Sequence, residues 1–173
     1  GVEYLIDALN LLINEKGYSN VQLRIGGRGP LKKKYINIIS NYKLDDYIKF
    51  LDYISDGDIP SYYTECDIFV LPSIVASDGD TEGLGVVFIE ANACSTPVIG
   101  SKVGGIVDVI GNGRNGYLVE QKNPVDMFEK IELLINNEDK RYCMGREGMN
   151  VVAKKFSWDS IGKQVREVYE ELL

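Results

Sequence analysis

Apolar and polar positions along the chain alternate between a helical and an extended period. At the start, Tyr4, Leu5, Ala8, Leu9, Leu11 and Leu12 recur at helical spacing and predict an amphipathic helix to about Lys16. Gly17-Tyr18-Ser19-Asn20 breaks it. Val21–Ile25 alternates with period two and reads as a strand running into Gly26-Gly27-Arg28-Gly29-Pro30. From Pro30 to about Tyr42 the spacing is helical again, with proline in the first turn, where its missing N–H is no loss. Tyr47–Leu51 reads as a strand, and Ser55 with Asp58 three residues on is placed to cap a short helix reaching about Cys66. Asp67–Leu71 reads as a buried strand stopped by Pro72. A polar loop from Ser77 to Glu82 precedes a helix over Gly85–Cys94, a strand at Pro97–Ile99, a short helix at Ile106–Ile110 and a strand at Tyr117–Val119. Three helices close the chain, at about Pro124–Asn136, Asp139–Phe156 and Trp158–Leu172.

Strands that alternate with helices predict an α/β fold, a Rossmann-like parallel sheet covered by helices on both faces. Its ligand crevice is expected beyond the carboxyl ends of the strands. The glycines collect at those ends: Gly26, Gly27 and Gly29; Gly79, Gly83 and Gly85; Gly100, Gly104 and Gly105. At 173 residues, with no internal repeat or linker, the chain 1–173 reads as a single domain.

Composition narrows the chemistry. There is no histidine, which removes Ser-His-Asp and Cys-His catalysis, histidine metal sites and histidine general bases. A net charge of −7 with no basic stripe argues against nucleic acid as a partner. Cys66, Cys94 and Cys143 are odd in number and flanked by apolar residues, so they read as reduced core thiols of a cytosolic protein. No apolar run approaches the ~20 residues of a membrane span, and Gly1-Val2-Glu3-Tyr4 has no signal-peptide pattern.

The most informative stretch runs from Pro72 to Val98. On a helix, Glu90 has Val86, Val87, Ala93 and Cys94 as near neighbours, so its carboxylate is expected to be desolvated and in need of donors. Two readings stand: a core glutamate bonded to backbone amides, or a carboxylate awaiting ligand hydroxyls such as a ribose diol. Before that helix, Glu82-Gly83-Leu84-Gly85 lets backbone approach a ligand, and the free first-turn amides form an anion site suited to a sugar diphosphate. An ordinary glycine-rich turn has the same pattern. Asp78-Gly79-Asp80 with Glu82 has oxygens enough for Mg²⁺ or Mn²⁺, or is a solvated acidic loop. Lys32-Lys33-Lys34 with Arg28 can steer phosphates or form a solvated face; Lys102 and Arg114 fall on rim loops; Tyr53 follows a strand and can touch a base or simply pack. Ile161, Val165, Val168, Tyr169 and Leu172 form an apolar stripe on the last helix.

In order and spacing, several of these segments resemble the C-terminal half of a family 4 (group 1) glycosyltransferase of GT-B fold. They are Gly26-Gly27-Arg28-Gly29-Pro30-Leu31, Asp67-Ile-Phe-Val-Leu-Pro-Ser, the Glu82-x7-Glu90 pair with Ala-Asn-Ala-Cys-Ser-Thr-Pro-Val after it, Gly104-Gly105-Ile106, Gly113-Arg114-Asn115-Gly116-Tyr117-Leu118-Val119 and Phe156-Ser157-Trp158. The resemblance covers essentially the whole chain and departs from the family at Ser95, where glycine is usual. It implies a UDP- or GDP-type nucleotide-sugar donor and transfer that retains the anomeric configuration, without a metal or other cofactor. By it, Glu90 takes the ribose hydroxyls, and Glu82 holds the transferred sugar and is the catalytic candidate. Amides of Leu84, Gly85 and Val86, beside Gly83, take the diphosphate. Tyr53 and Ile54, after the strand at Leu51, receive the base, and Gly26, Gly27 and Arg28 line the floor. The resemblance also implies a first strand, central in the sheet, that this chain lacks along with its phosphate-binding Arg and Lys, and an N-terminal acceptor domain that is likewise absent. The isolated chain is therefore expected not to turn over. A cytoplasmic protein is implied, and any contact with the inner membrane face belongs to the absent half. Alternatives are a GT-B nucleotide-sugar epimerase, which the Glu-x7-Glu pair and Gly104-Gly105 disfavour, and a stand-alone nucleotide-binding or assembly module.

Overall fold

The computed structural model describes residues 1–172. Helix α1 (Val2–Asn10) runs on into a π-helical turn at Leu11–Glu15. Strand β1 (Leu23–Gly26), α2 (Lys32–Asn41), β2 (Ile48–Asp52), α3 (Ile59–Glu65) and β3 (Phe69–Leu71) follow. The second part comprises α4 (Val86–Ala93), β4 (Val98–Ser101), α5 (Ile106–Val109), β5 (Gly116–Val119), α6 (Pro124–Ile135), α7 (Glu138–Val151) and α8 (Trp158–Glu171). A second π-helical turn, Val152–Phe156, joins α7 to α8. The predicted elements are all present, and their ends move where a partner decides. Val21 and Gln22 precede the ladder because β2 begins at Ile48, opposite Leu23. Asp67 and Ile68 fall outside β3 because its pairing starts at Phe69 with Val98. Ser55 does not cap α3: the N-cap is Asp58, without a side-chain cap bond, and the Ser55 hydroxyl bonds the Asp58 carboxylate at 2.6 Å instead.

Every strand pairing is parallel, but the sheet falls into two blocks, β1–β2 and β3–β4–β5. Among the described residues no strand lies between β1 and β3. A groove of about 1500 Å³ opens there instead, with Val21–Arg28 along one wall and Asp67–Pro72 along the other. The resemblance places its absent central strand at this position. One consequence corrects the sequence expectation: Phe69, Val70 and Leu71 are only half-buried, because their sheet edge faces the groove.

The core has two centres. Ile6, Leu12, Leu44, Met127 and Leu134 pack under α1, α2 and α6; Phe88, Ala91, Val98, Ile106 and Ile110 pack around α4 and α5. Each large side chain buried in this way contributes about 1.5–3 kcal/mol. Three of the later helices begin on side-chain caps that take a third-residue amide: Asn123 for α6, Asn137 for α7 and Ser157 for α8. Helix α7 lies close against α4, since a Cβ on Gly148 would come within 2.7 Å of Asn92. Asn92 is fully buried and satisfied. Its amide donates to the carbonyls of Thr96 (3.0 Å) and Asn115 (3.3 Å), and its oxygen accepts from Asn115 Nδ2 at 2.6 Å. This paired amide network fixes α4 to the loop before β5.

One further expectation changes. Cys66 and Cys94 are free and half-buried, but Cys143 is exposed, because the outer face of α7 turns it to solvent; it is not a core thiol. Helix α8 buries none of its residues, and Trp158, Val165, Val168 and Tyr169 stand exposed on its surface.

Candidate functional site

The groove meets the carboxyl ends of β1, β2 and β3, and most of the predicted site residues gather there. Gly26, Gly27, Arg28, Tyr53, Ile54, Glu82, Leu84, Gly85, Val86 and Glu90 all line it. Gly83 does not. Its carbonyl instead accepts a short 2.6 Å bond from the amide of Gly105.

That bond seats the segment before α4. Gly104 has φ +51°, and a Cβ on it would meet the Glu82 carbonyl oxygen at 2.0 Å. A Cβ on Gly105 would meet the Gly83 carbonyl oxygen at 2.6 Å. Only two glycines allow the 104–105 loop to press backbone to backbone on the segment carrying Glu82. Gly85 then turns the chain into α4 in a left-handed conformation, φ 75°, ψ 54°, and a Cβ there would strike the Phe88 ring at 2.7 Å. The amides of Val86 and Val87 have no acceptor within α4 and sit at the positive end of its dipole, an arrangement suited to an anion, while the Phe88 amide bonds the Gly85 carbonyl at 2.9 Å.

Glu90 lies one turn further along α4. The sequence predicts a desolvated carboxylate; the structure places it exposed at the groove wall. Val86, one turn earlier on the same face, also lines the groove and is 55% exposed. The opposite face of α4, with Phe88, Ala91 and Asn92, carries the packing. The Glu90 carboxylate is therefore not held by backbone amides in a core. One of its oxygens, Oε2, accepts from the hydroxyl of Tyr63 at 3.0 Å. Burial, reinforced by the neighbouring Glu90, pushes the Tyr63 phenol well above the usual tyrosine range, so it stays a proton donor.

On the other wall, β1 and β2 slip register between Ile25 and Gly26, and the Gly27 amide bonds the Asp52 carbonyl at 2.7 Å. Asp52 takes the left-handed conformation (φ 54°), which strains a non-glycine residue. A hydrogen bond from Lys32 at 2.5 Å holds its carboxyl below the usual carboxylate range. Past this kink Ile54 packs over Gly26, within 2.8 Å of where a Cβ would stand, and Tyr53 projects to solvent with the Arg28 guanidinium 5.8 Å from its ring centroid.

Other candidates are not brought to the groove. Lys102 pairs with Glu120 and Arg114 with Glu147, both at 2.5 Å, so neither stands in for a phosphate cation. Lys32 and Lys34 are bonded to Asp52 and Glu3. The amide of Asp80 bonds the Asp78 carboxylate at 3.2 Å, folding that loop on itself, and among the described residues no group of three or more His, Cys, Asp or Glu could hold a metal ion. Among the described residues no helix is long and apolar enough to cross a membrane. Sequence reasoning missed Tyr63, whose only signal was its place in a Tyr-Tyr pair on a short helix.

Comparison with known proteins accords with this geometry. A glycosyltransferase of Methanocaldococcus jannaschii, described as uncharacterized, is 38% identical over 99% of this chain and 45% of its own length. The capsular polysaccharide biosynthesis glycosyltransferase CapM of Staphylococcus aureus is 32% identical over 100% of this chain and 43% of its own. The chain thus spans less than half the length of these relatives. Among solved structures, sucrose-phosphate synthase from Thermosynechococcus elongatus superposes with a TM-score of 0.83 at 26% identity, over 99% of this chain and 42% of that one. S. aureus TarM, in a complex that includes UDP, does so with a TM-score of 0.81 at 26% identity, over 97% and 32%. Both are consistent with the parallel α/β architecture. Residues 1–170 match the family described as glycosyl transferases group 1, and this chain belongs to that family.

Proposed function

We propose that the chain is the donor-binding half of a retaining glycosyltransferase that moves a sugar from a nucleotide-diphosphate sugar to a glycan, lipid or other acceptor. The observation that carries the reading is the convergence of Glu82, the α4 first turn, Glu90 and the Gly26–Arg28 and Tyr53–Ile54 segments on one groove at the strand ends. Glu90 accepts hydrogen bonds from the ribose diol. The amides of Leu84, Gly85 and Val86 and the helix dipole stabilise the charge that develops on the leaving diphosphate. Glu82 holds the hydroxyls of the transferred sugar. Tyr53 and Ile54 flank the base, and Arg28 adds a cation beside them. A uracil nucleotide is favoured because the TarM structure holds UDP. The site is read as independent of metal: the amides at the start of α4 take the diphosphate charge, with Arg28 as a cation lining the same groove. Acceptor binding, and with it turnover, belongs to sequence beyond this chain.

Calorimetric titration with UDP, GDP, ADP and CMP, with and without Mg²⁺, tests the proposal. Saturable binding of one nucleoside diphosphate, unchanged by Mg²⁺, is expected. Glu90→Gln should weaken it by roughly 1.5–3 kcal/mol, as for a hydrogen bond to a charged group, without unfolding the chain. Absence of binding, or full affinity in the folded variant, would overturn the reading.

A further inference from the structure

Tyr63 is not among the groups the donor reading uses, yet it makes the closest polar contact to one of them. Its hydroxyl donates to Oε2 of Glu90 at 3.0 Å. The ring is 9% exposed and clamped in an edge-to-face ladder: 5.3 Å between the centroids of Tyr63 and Phe69, and 5.7 Å between Phe69 and the fully buried Phe88. Its own carbonyl accepts from the hydroxyl of Thr96 at 2.7 Å, and Thr96 is 2% exposed. The phenol is therefore packed on all but its hydroxyl edge, whereas Glu90 is exposed at the groove wall. An ionised carboxylate offers about four acceptor positions over two oxygens. Tyr63 occupies one of them and fixes the rotation of the group. Acceptor positions for two adjacent hydroxyls remain on a carboxylate whose residue lines the groove.

We propose that Tyr63 is a positioning residue that sets the Glu90 carboxylate for a vicinal diol, so that discrimination between ribose and 2′-deoxyribose nucleotides runs through it. The inference rests on the reading of Glu90 as the ribose ligand. Without Tyr63, Glu90 must be ordered by the ligand itself, a loss of roughly 3–10-fold in affinity, the order expected for one immobilised side chain.

The test is titration of UDP and 2′-deoxy-UDP into the wild-type chain, Tyr63→Phe, Glu90→Gln and the double variant, with thermal melting as a fold check. Phenylalanine keeps the aromatic ladder and removes only the hydroxyl. Tyr63→Phe is expected to weaken UDP roughly 3–10-fold and 2′-deoxy-UDP much less, so the preference for ribose falls. The double variant should be no worse than Glu90→Gln alone, since the two residues act as one unit. A purely structural tyrosine would weaken both nucleotides alike and leave the preference intact. Loss of the preference in Glu90→Gln but not in Tyr63→Phe overturns the inference and leaves the donor reading standing. No loss in Glu90→Gln overturns both.

Discussion

Gly105→Ala is a sharp probe of how the site is built. The backbone angles of Gly105 (φ −78°, ψ 1°) suit alanine, so the effect must come from contact alone. The added Cβ would lie 2.6 Å from the carbonyl oxygen of Gly83 and 3.2 Å from Cα of Leu84. Both are backbone atoms, so no side chain can rotate out of the way. Relieving the first contact to ordinary van der Waals distance at 3.4 Å moves the Gly83 segment by roughly 0.8 Å and stretches the 2.6 Å bond from the Gly105 amide past the usual range of about 3.2 Å. The weakened hydrogen bond costs up to about 1 kcal/mol and overpacking about 1–3 more, together roughly 1–4 kcal/mol. For a chain of this size that lowers the melting temperature by roughly 2–16 °C. The displaced segment carries Glu82 and leads into the first turn of α4. A shift of roughly 0.8 Å takes a ~2.9 Å hydrogen bond beyond bonding range, so UDP affinity should fall at least about tenfold. Thermal melting and calorimetric titration read the two effects separately. A variant with unchanged melting temperature and affinity would refute the packing argument, and a destabilised variant with full affinity would show that the 82–85 segment does not carry the site.

Asn92→Ala should cost roughly 2–4 kcal/mol in denaturant unfolding. It opens a cavity and removes partners from Asn115 Nδ2 and the carbonyls of Thr96 and Asn115; a loss within surface-mutant range would contradict the buried network. Alkaline pH should destabilise the fold through Tyr63. Folding raises its pKa above the ordinary tyrosine value of 10.0, chiefly by burial and then by Glu90. Its contribution is therefore whole below about pH 10 and is lost as the pH rises further, because the unfolded chain gives up the proton first. Tyr63→Phe should flatten that alkaline fall, followed by unfolding at a series of pH values; an unchanged slope would remove Tyr63 as its source.

Local order was readable because it depends on residues a few positions apart. The period of apolar residues set the helices and strands from Tyr4 to Leu172, and their alternation set a parallel sheet with its glycines at the strand ends. Glu82-Gly83-Leu84-Gly85 was legible as a loop leading into a helix for the same reason. The environment of each side chain was not legible, because it is supplied by partners tens of residues away. Val86, Val87, Ala93 and Cys94 around Glu90 spell a buried face, yet Glu90 and Val86 are exposed on the groove wall. Lys102 and Arg114 fall on rim loops by their sequence, and only the fold pairs them with Glu120 and Glu147. Tyr63 meets Glu90 across 27 residues, and Asn92 meets Asn115 across 23. The elements, their parallel arrangement and the end of the sheet where a ligand belongs follow from spacing and backbone chemistry, so the residues alone carry them. Which face of α4 is wet and which tyrosine holds its carboxylate depend on burial and hydrogen bonding, properties of neighbours that the chain brings together only when it folds.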